Sequence, residues 1–206
     1  KTVFDAEYFK GVLYVFDMLF DKGTDVRGAN LDVRLAQAAK IVEAVGNPSL
    51  QMKVFHMTGD LETDVRQVLA YNRTLPEDDN DGLIFTPITV PYFNDGIYKW
   101  KPPQMLTIDF TASKIGDGKY TLQVKDKHDK LVTFAPVGFS GNIESTKDLT
   151  GVGEYRWTGE TFELVRSRPD KDIPNFITIA QDVWEDIRAP ITEEELPGLF
   201  ATALEE

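Results

Sequence analysis

The chain has 206 residues, a net charge of −12 and no cysteine. That length suits one large domain or two small ones, and the lack of cysteine excludes disulfides, thiolate zinc sites and cysteine nucleophiles. So acidic a chain is a poor general nucleic-acid binder, because phosphate neutralisation supplies most of that affinity; only local basic strips are candidates for holding phosphate.

No run of about 18 apolar residues exists to span a membrane, and no secretory signal is present. The chain opens Lys1-Thr2-Val3-Phe4 rather than with Met, which reads as a fragment of something longer. Two β-branched and aromatic runs, Phe4 to Phe9 and Val12 to Phe20, read as strands joined by a turn at Lys10-Gly11. A loop at 21–25 follows. Asn30 caps a predicted helix to about Val45, with Leu31, Leu35, Ala38, Val42 and Val45 as its apolar stripe. Met52 to Met57 reads as a further strand. Asp60 caps a second helix through about Tyr71, with Leu61, Val65, Val68 and Leu69 facing inward. The acidic stretch Glu77-Asp78-Asp79-Asn80-Asp81-Gly82 comes next.

From Leu83 the pattern changes to short strands and turns. Expected strands are Leu83 to Phe85, Ile97 to Lys101, Leu106 to Ala112, Tyr120 to Lys125, Leu131 to Ala135, Gly153 to Thr158 and Thr161 to Arg168. Gly116-Asp117-Gly118 and Thr158-Gly159-Glu160 are turn signals. Such spacing predicts a small barrel or sandwich over roughly 104–170. A last helix starts near Pro174-Asn175, buries Phe176, Ala180, Val183 and Ile187, and stops at Pro190.

The chemistry-bearing residues fall into four segments. In Tyr98-Lys99-Trp100-Lys101, strand periodicity puts Lys99 and Lys101 on one face. Two ammonium groups side by side suit a phosphate between them; as solvated edge lysines they would be ordinary surface. In Asp81-Gly82-Leu83-Ile84-Phe85, a carboxylate at a strand mouth can hold a hard cation through oxygen, or simply lead a polar loop into the core. Asp5 and Glu7 share a face of an apolar strand, so they need partners against the cost of desolvation. A ribose hydroxyl, a metal or an arginine would each serve. Phe16 is either core or a ring that stacks on a nucleobase. Arg166 and Arg168 share a face and Lys171 follows a Pro-stiffened bend, so these cations can clasp a polyphosphate. With only His56 and His128 in the chain, and His128 at a polar hairpin tip, histidine catalysis is not expected. Gly138-Phe139-Ser140-Gly141 is one residue short of a nucleophile elbow.

Phe4-Asp5-Ala6-Glu7-Tyr8, Val15-Phe16-Asp17, Asp81-Gly82-Leu83-Ile84-Phe85, Lys99-Trp100-Lys101-Pro102, Thr107-Ile108-Asp109-Phe110 and Arg168-Pro169-Asp170-Lys171 occur in this order. The series resembles the successive motifs of covalent nucleotidyltransferases, specifically the mRNA guanylyltransferases, over nearly the whole chain. The stretch from Ala180 to Leu196 resembles enzymes of large DNA viruses. The resemblance implies an α+β chain: the C-terminal part of a nucleotidyltransferase domain over 1–103, an OB-fold β-barrel over 104–178, and a C-terminal helix and tail over 179–206. It implies that Glu7 contacts ribose or metal, that Phe16 stacks on guanine and that Asp81 binds Mg²⁺ or Mn²⁺. Lys99 and Lys101 would hold the α-phosphate, Asp109 would lie near the phosphates or the domain junction, and Arg168, Asp170 and Lys171 would orient the β- and γ-phosphates. GTP and the 5′ end of RNA are the implied partners, with triphosphatase or methyltransferase domains as possible neighbours. The implied location is intracellular: host cytoplasm or virion for a viral protein, nucleus for a cellular one.

The family's lysine nucleophile sits in Lys-x-Asp-Gly upstream of the Glu7 motif, and no Lys-x-Asp-Gly occurs in this sequence. An ATP-dependent polynucleotide ligase and a non-catalytic binding subunit with the same fold are the alternative readings.

Overall fold

The computed structural model describes residues 1–76, 79–93 and 96–201. They form two units, each with its own core: residues 1–75 with 82–100, and residues 76–81 with 101 onward. Glu77 and Asp78 of the acidic stretch lie outside the described residues.

The first unit is built on strand β2 (Val12–Asp21), which pairs antiparallel with β1 (Val3–Phe9). Two-residue turns, Lys10-Gly11 and Lys22-Gly23, place both central residues at positive φ, the conformation whose twist matches a hairpin. The second turn makes residues 21–25 a hairpin to the two-residue strand β3 (Thr24–Asp25) instead of the expected loop. Helix α1 (Leu31–Val45) lays Ala38 and Val42 on Val15 and Met18 of β2. Leu31, Leu35, Ala38 and Val42 are buried as the stripe predicts, whereas Val45 at the last turn is exposed. Gly46 closes the helix in a left-handed conformation, its N–H donating to the Val42 carbonyl, as a glycine cap should.

The strand expected over Met52 to Met57 is displaced. Strand β4 (Leu50–Met52) runs parallel to β2 opposite Leu13, Tyr14 and Val15. Lys53 N–H donates to the Val15 carbonyl, and there the ladder ends. Farther along β2, Leu19 and Phe20 are already taken by Val26 N–H and β3, so the chain from Lys53 to Met57 has no strand to continue along. Helix α2 (Leu61–Asn72) buries Val65 and Leu69 but leaves Leu61 exposed. Strands β5 (Leu83–Phe85) and β6 (Tyr98–Trp100) pair as an antiparallel ribbon.

The second unit is a sheet of β7 (Thr107–Gly116), β8 (Lys119–Lys125), β9 (Leu131–Thr133), β10 (Asn142–Glu144), β11 (Val152–Trp157) and β12 (Phe162–Ser167). The order is β10-β8-β7-β11-β12, with β9 also on β8. Phe139, which follows β9, meets Phe162 of β12 with ring centroids 5.1 Å apart, so the sheet wraps around one core. Among the described residues no ladder joins β12 to β9 or β10, and the expected closed barrel is not formed. At one end lies a shallow depression lined by Ile115, Lys119, Ile143 and Thr161.

Helix α3 (Ile177–Arg188) packs into this core through Ala180 and Trp184, with Ile177, Val183 and Ile187 alongside. Phe176 is at the N-cap position and is exposed, contrary to the expected stripe. Trp184 takes its place, stacking edge-on against Trp157 at 4.9 Å and Phe134 at 6.4 Å. The contact geometry favours such perpendicular ring pairs.

Candidate functional site: a row of carboxylates and cations across three strands

The sheet register builds the site. Asp109 of β7 lies opposite Glu154 of β11, and Glu154 lies opposite Arg166 of β12. Directly paired residues in an antiparallel sheet share a face. Two carboxylates therefore stand side by side, an unfavourable pairing unless cations intervene. The loop after β12 supplies those cations. Arg168 is anchored by its N–H to the Val152 carbonyl, and Lys171 N–H donates to the Arg168 carbonyl, forming the Pro169-Asp170 bend.

The bend turns both side chains onto Asp109. Lys171 Nζ is 2.5 Å and Arg168 Nη1 is 3.2 Å from Asp109 Oδ2. The rest of the Arg168 guanidinium grips Asp170, with Nη2 2.8 Å from Oδ2. Arg166 Nε donates to Glu154 Oε2 at 2.6 Å, and the Thr107 hydroxyl donates to Glu154 Oε1 at 2.8 Å. Asn175 fixes the backbone beneath: its Oδ1 accepts from Asp109 N–H at 2.7 Å, and its own N–H donates to the Asp109 carbonyl at 2.9 Å.

The electrostatics follow from these contacts. Asp109 is buried, and burying its charge is tolerable only because two cations meet it. The hydrogen bond from Arg168 holds the Asp170 carboxyl down to about 2, and the same bond raises the already high pKa of Arg168. Burial pushes the Glu154 carboxyl up, but the hydrogen bonds from Arg166 and Thr107 outweigh it and leave the group below its ordinary range. All three cations expected to clasp polyphosphate thus already have carboxylate partners. An arriving anion competes with those partners for the cations.

The other expected site residues sit in smaller clusters. In the first unit Glu7 pairs with Lys53 (Nζ to Oε2, 2.8 Å), and the same ammonium lies 5.9 Å from the Phe16 ring centroid. Glu7 is largely in solvent, so burial does not demand this partner as the sequence pattern implies. Asp5 accepts from the Tyr92 hydroxyl at 2.8 Å, and that bond is the leading cause of the raised Tyr92 pKa. Asp17 is buried against Arg34, whose Nε and Nη2 meet its two oxygens at 2.7 and 2.8 Å. Lys99 is exposed on β6. In the second unit Lys101 Nζ is 2.8 Å from Asp81 Oδ2, both side chains being largely in solvent. Among the described residues no three carboxylate or imidazole side chains gather as a metal seat. Glu7 is paired with Lys53 and Asp81 with Lys101, each carboxylate standing largely in solvent.

Glu154, Thr107 and Lys53 were missed by sequence reasoning. Glu154 had a usable signal: alternation along Gly153-Glu154-Tyr155 sets it opposite the core-facing Tyr155. Its partners depend on register, which no local pattern displays.

Residues 101–197 match the family described as mRNA capping enzyme, C-terminal domain. The chain is 33% identical over 122 residues to an mRNA-capping enzyme of Danio rerio and 32% identical over 122 residues to that of Mus musculus. It is 27% identical over 143 residues to the mRNA-capping enzyme of Caenorhabditis elegans. Each match covers 56% of this chain and 20% of the relative, so the matched part is about a fifth of those proteins. Every residue of the Asp109 row lies inside the matched segment. Residues 101–197, just under half of the chain, are therefore similar to the C-terminal domain of mRNA capping enzymes.

Proposed function

We propose that this chain is part of an RNA guanylyltransferase, which transfers GMP from GTP through a lysyl-GMP intermediate to the 5′ diphosphate end of RNA. The observation that carries the reading is the gathering of Arg166, Arg168 and Lys171 around Asp109 and Glu154, within the segment that matches the capping family. Phosphoryl transfer asks little of a protein beyond positioning and charge neutralisation, and a movable cation cluster supplies the second. In this reading the cluster takes up the charge of the leaving β- and γ-phosphates, with Asp109 and Asp170 orienting the two basic groups between turnovers. Lys99 and Lys101 hold the α-phosphate, Phe16 stacks on guanine, and Glu7 receives the ribose. The curled sheet with its capping helix is read as an OB-fold-type module.

The nucleophile is a lysine beyond this sequence, which has no Lys-x-Asp-Gly. Its amine attacks the α-phosphorus, pyrophosphate departs, and the RNA diphosphate then displaces the lysine. Incubation of the full-length protein with α-labelled GTP and Mg²⁺ should leave a covalent label that passes to diphosphate-ended RNA. Lys99→Ala and Lys171→Ala should each cut labelling by at least about a hundredfold; normal labelling of both would remove their phosphate roles. Labelling by ATP in preference to GTP would point to a polynucleotide ligase. No label with either nucleotide would leave a non-catalytic binding subunit.

A further inference from the structure

The polyphosphate reading uses the cations of the row but gives Glu154 no task. Glu154 is nevertheless the most firmly built carboxylate there after Asp109. Its side chain is only 17% exposed, against 62% for Asp170. It is rooted in the inner strand β11, paired on both sides, and the Thr107 hydroxyl fixes one of its oxygens. The other oxygen is 2.6 Å from Arg166 Nε and 3.9 Å from Arg168 Nη1. Arg168, hydrogen-bonded to Asp109 and Asp170, thus also lies within ion-pair range of Glu154.

We propose that Glu154 is a positioning residue that competes with polyphosphate for Arg166 and Arg168, and so sets how loosely this cluster holds a departing pyrophosphate. The inference rests on the guanylyltransferase reading for the identity of the anion. A phosphate that takes the Arg166 Nε–H takes it from Glu154, and Arg168 Nη1, 3.9 Å from the same carboxylate, is attracted to both anions. The carboxylate cannot follow or retreat far, because the sheet and Thr107 hold it. Its charge then lies within a few ångströms of the bound anion, in a partly buried setting where repulsion is screened less than in water. A cluster without such a competitor would bind the polyanion tightly and release it slowly.

The test is calorimetric titration of the full chain with inorganic pyrophosphate, alongside the variants Glu154→Gln and Glu154→Asp. Gln keeps an acceptor for Thr107 and removes the charge. Asp keeps the charge but draws it back by one methylene. The expected order of affinity is wild type, then Asp, then Gln, with Gln roughly tenfold tighter than wild type. A role in stability alone would leave affinity unchanged or reduce it. Should the Gln variant fail to fold, the Asp variant carries the test by itself through a gain of a fewfold. Equal or weaker binding by the folded variants, with wild type still binding, overturns the role of Glu154 and leaves the polyphosphate site standing. No binding of pyrophosphate by wild type or variants overturns the polyphosphate site and this inference with it.

Discussion

Asp109 is the residue on which the second unit's site depends, and its position was legible only in part. Thr-Ile-Asp-Phe places one acid in an apolar strand, and such an acid needs a partner. The partners lie 59 and 62 residues away along the chain. Removing the carboxylate takes the ion-pair partner from Lys171 and leaves Arg168 only Asp170 at hydrogen-bond range, so Asp109→Ala should cost about 3 kcal/mol. A urea denaturation midpoint unchanged from wild type would contradict this. The pH dependence has a definite sign. Asp170 is held at about 2 against an ordinary value of 3.8, and Glu154 is also lowered. Groups depressed by folding stabilise fully above their unfolded values and lose that contribution as pH falls through the folded ones. Stability from this cluster should therefore be complete by about pH 5 and fade from there toward pH 2. Arg168→Ala should flatten that decline in melts taken across this range; an unaltered slope would show that Arg168 does not set it.

At the scale of elements, the helices and most strands could be read from periodicity and turn residues, because those signals are local. Lys10-Gly11 and Gly116-Asp117-Gly118 mark hairpins whose strands fall within a few residues of expectation. The errors arise where a neighbour decides. The run Met52 to Met57 looks like a strand, but β3 and Val26 already occupy that side of β2. The buried face of α3 shifts from Phe176 to Trp184 because Phe134, Trp157 and Phe162 form an aromatic pocket against Trp184. Trp184→Ala should cost about 3–5 kcal/mol, a loss read from denaturant unfolding. Gly141 makes a comparable case within the sheet. Its φ is +84°, and an added Cβ would stand 2.4 Å from Thr133 Cγ2 and 3.2 Å from the Phe134 carbonyl. Gly141→Ala should therefore strain both backbone and packing where β9 and β10 meet β8. A melting temperature equal to wild type would show that the loop relaxes instead.

At the scale of the whole molecule, the chain crosses between two cores at 75–76, 81–82 and 100–101. The apolar cluster of the first unit centres on Val15, Met18, Ala38 and Val42, and that of the second on the aromatic residues around Phe110 and Trp184. No buried residue belongs to both clusters. Separate cores unfold as separate cooperative units unless a large apolar interface couples them. Calorimetry should accordingly resolve two transitions, and single substitutions should identify them. Arg34 is the natural probe for the first unit. It is buried, it meets both oxygens of Asp17, and it donates to the carbonyls of Ala29 and Val90. Arg34→Leu would leave the Asp17 carboxylate buried and unpaired, at a cost of about 3–5 kcal/mol. It should lower one transition and leave the other in place, while Trp184→Ala should do the reverse. If both substitutions move a single shared transition, the two cores are one folding unit.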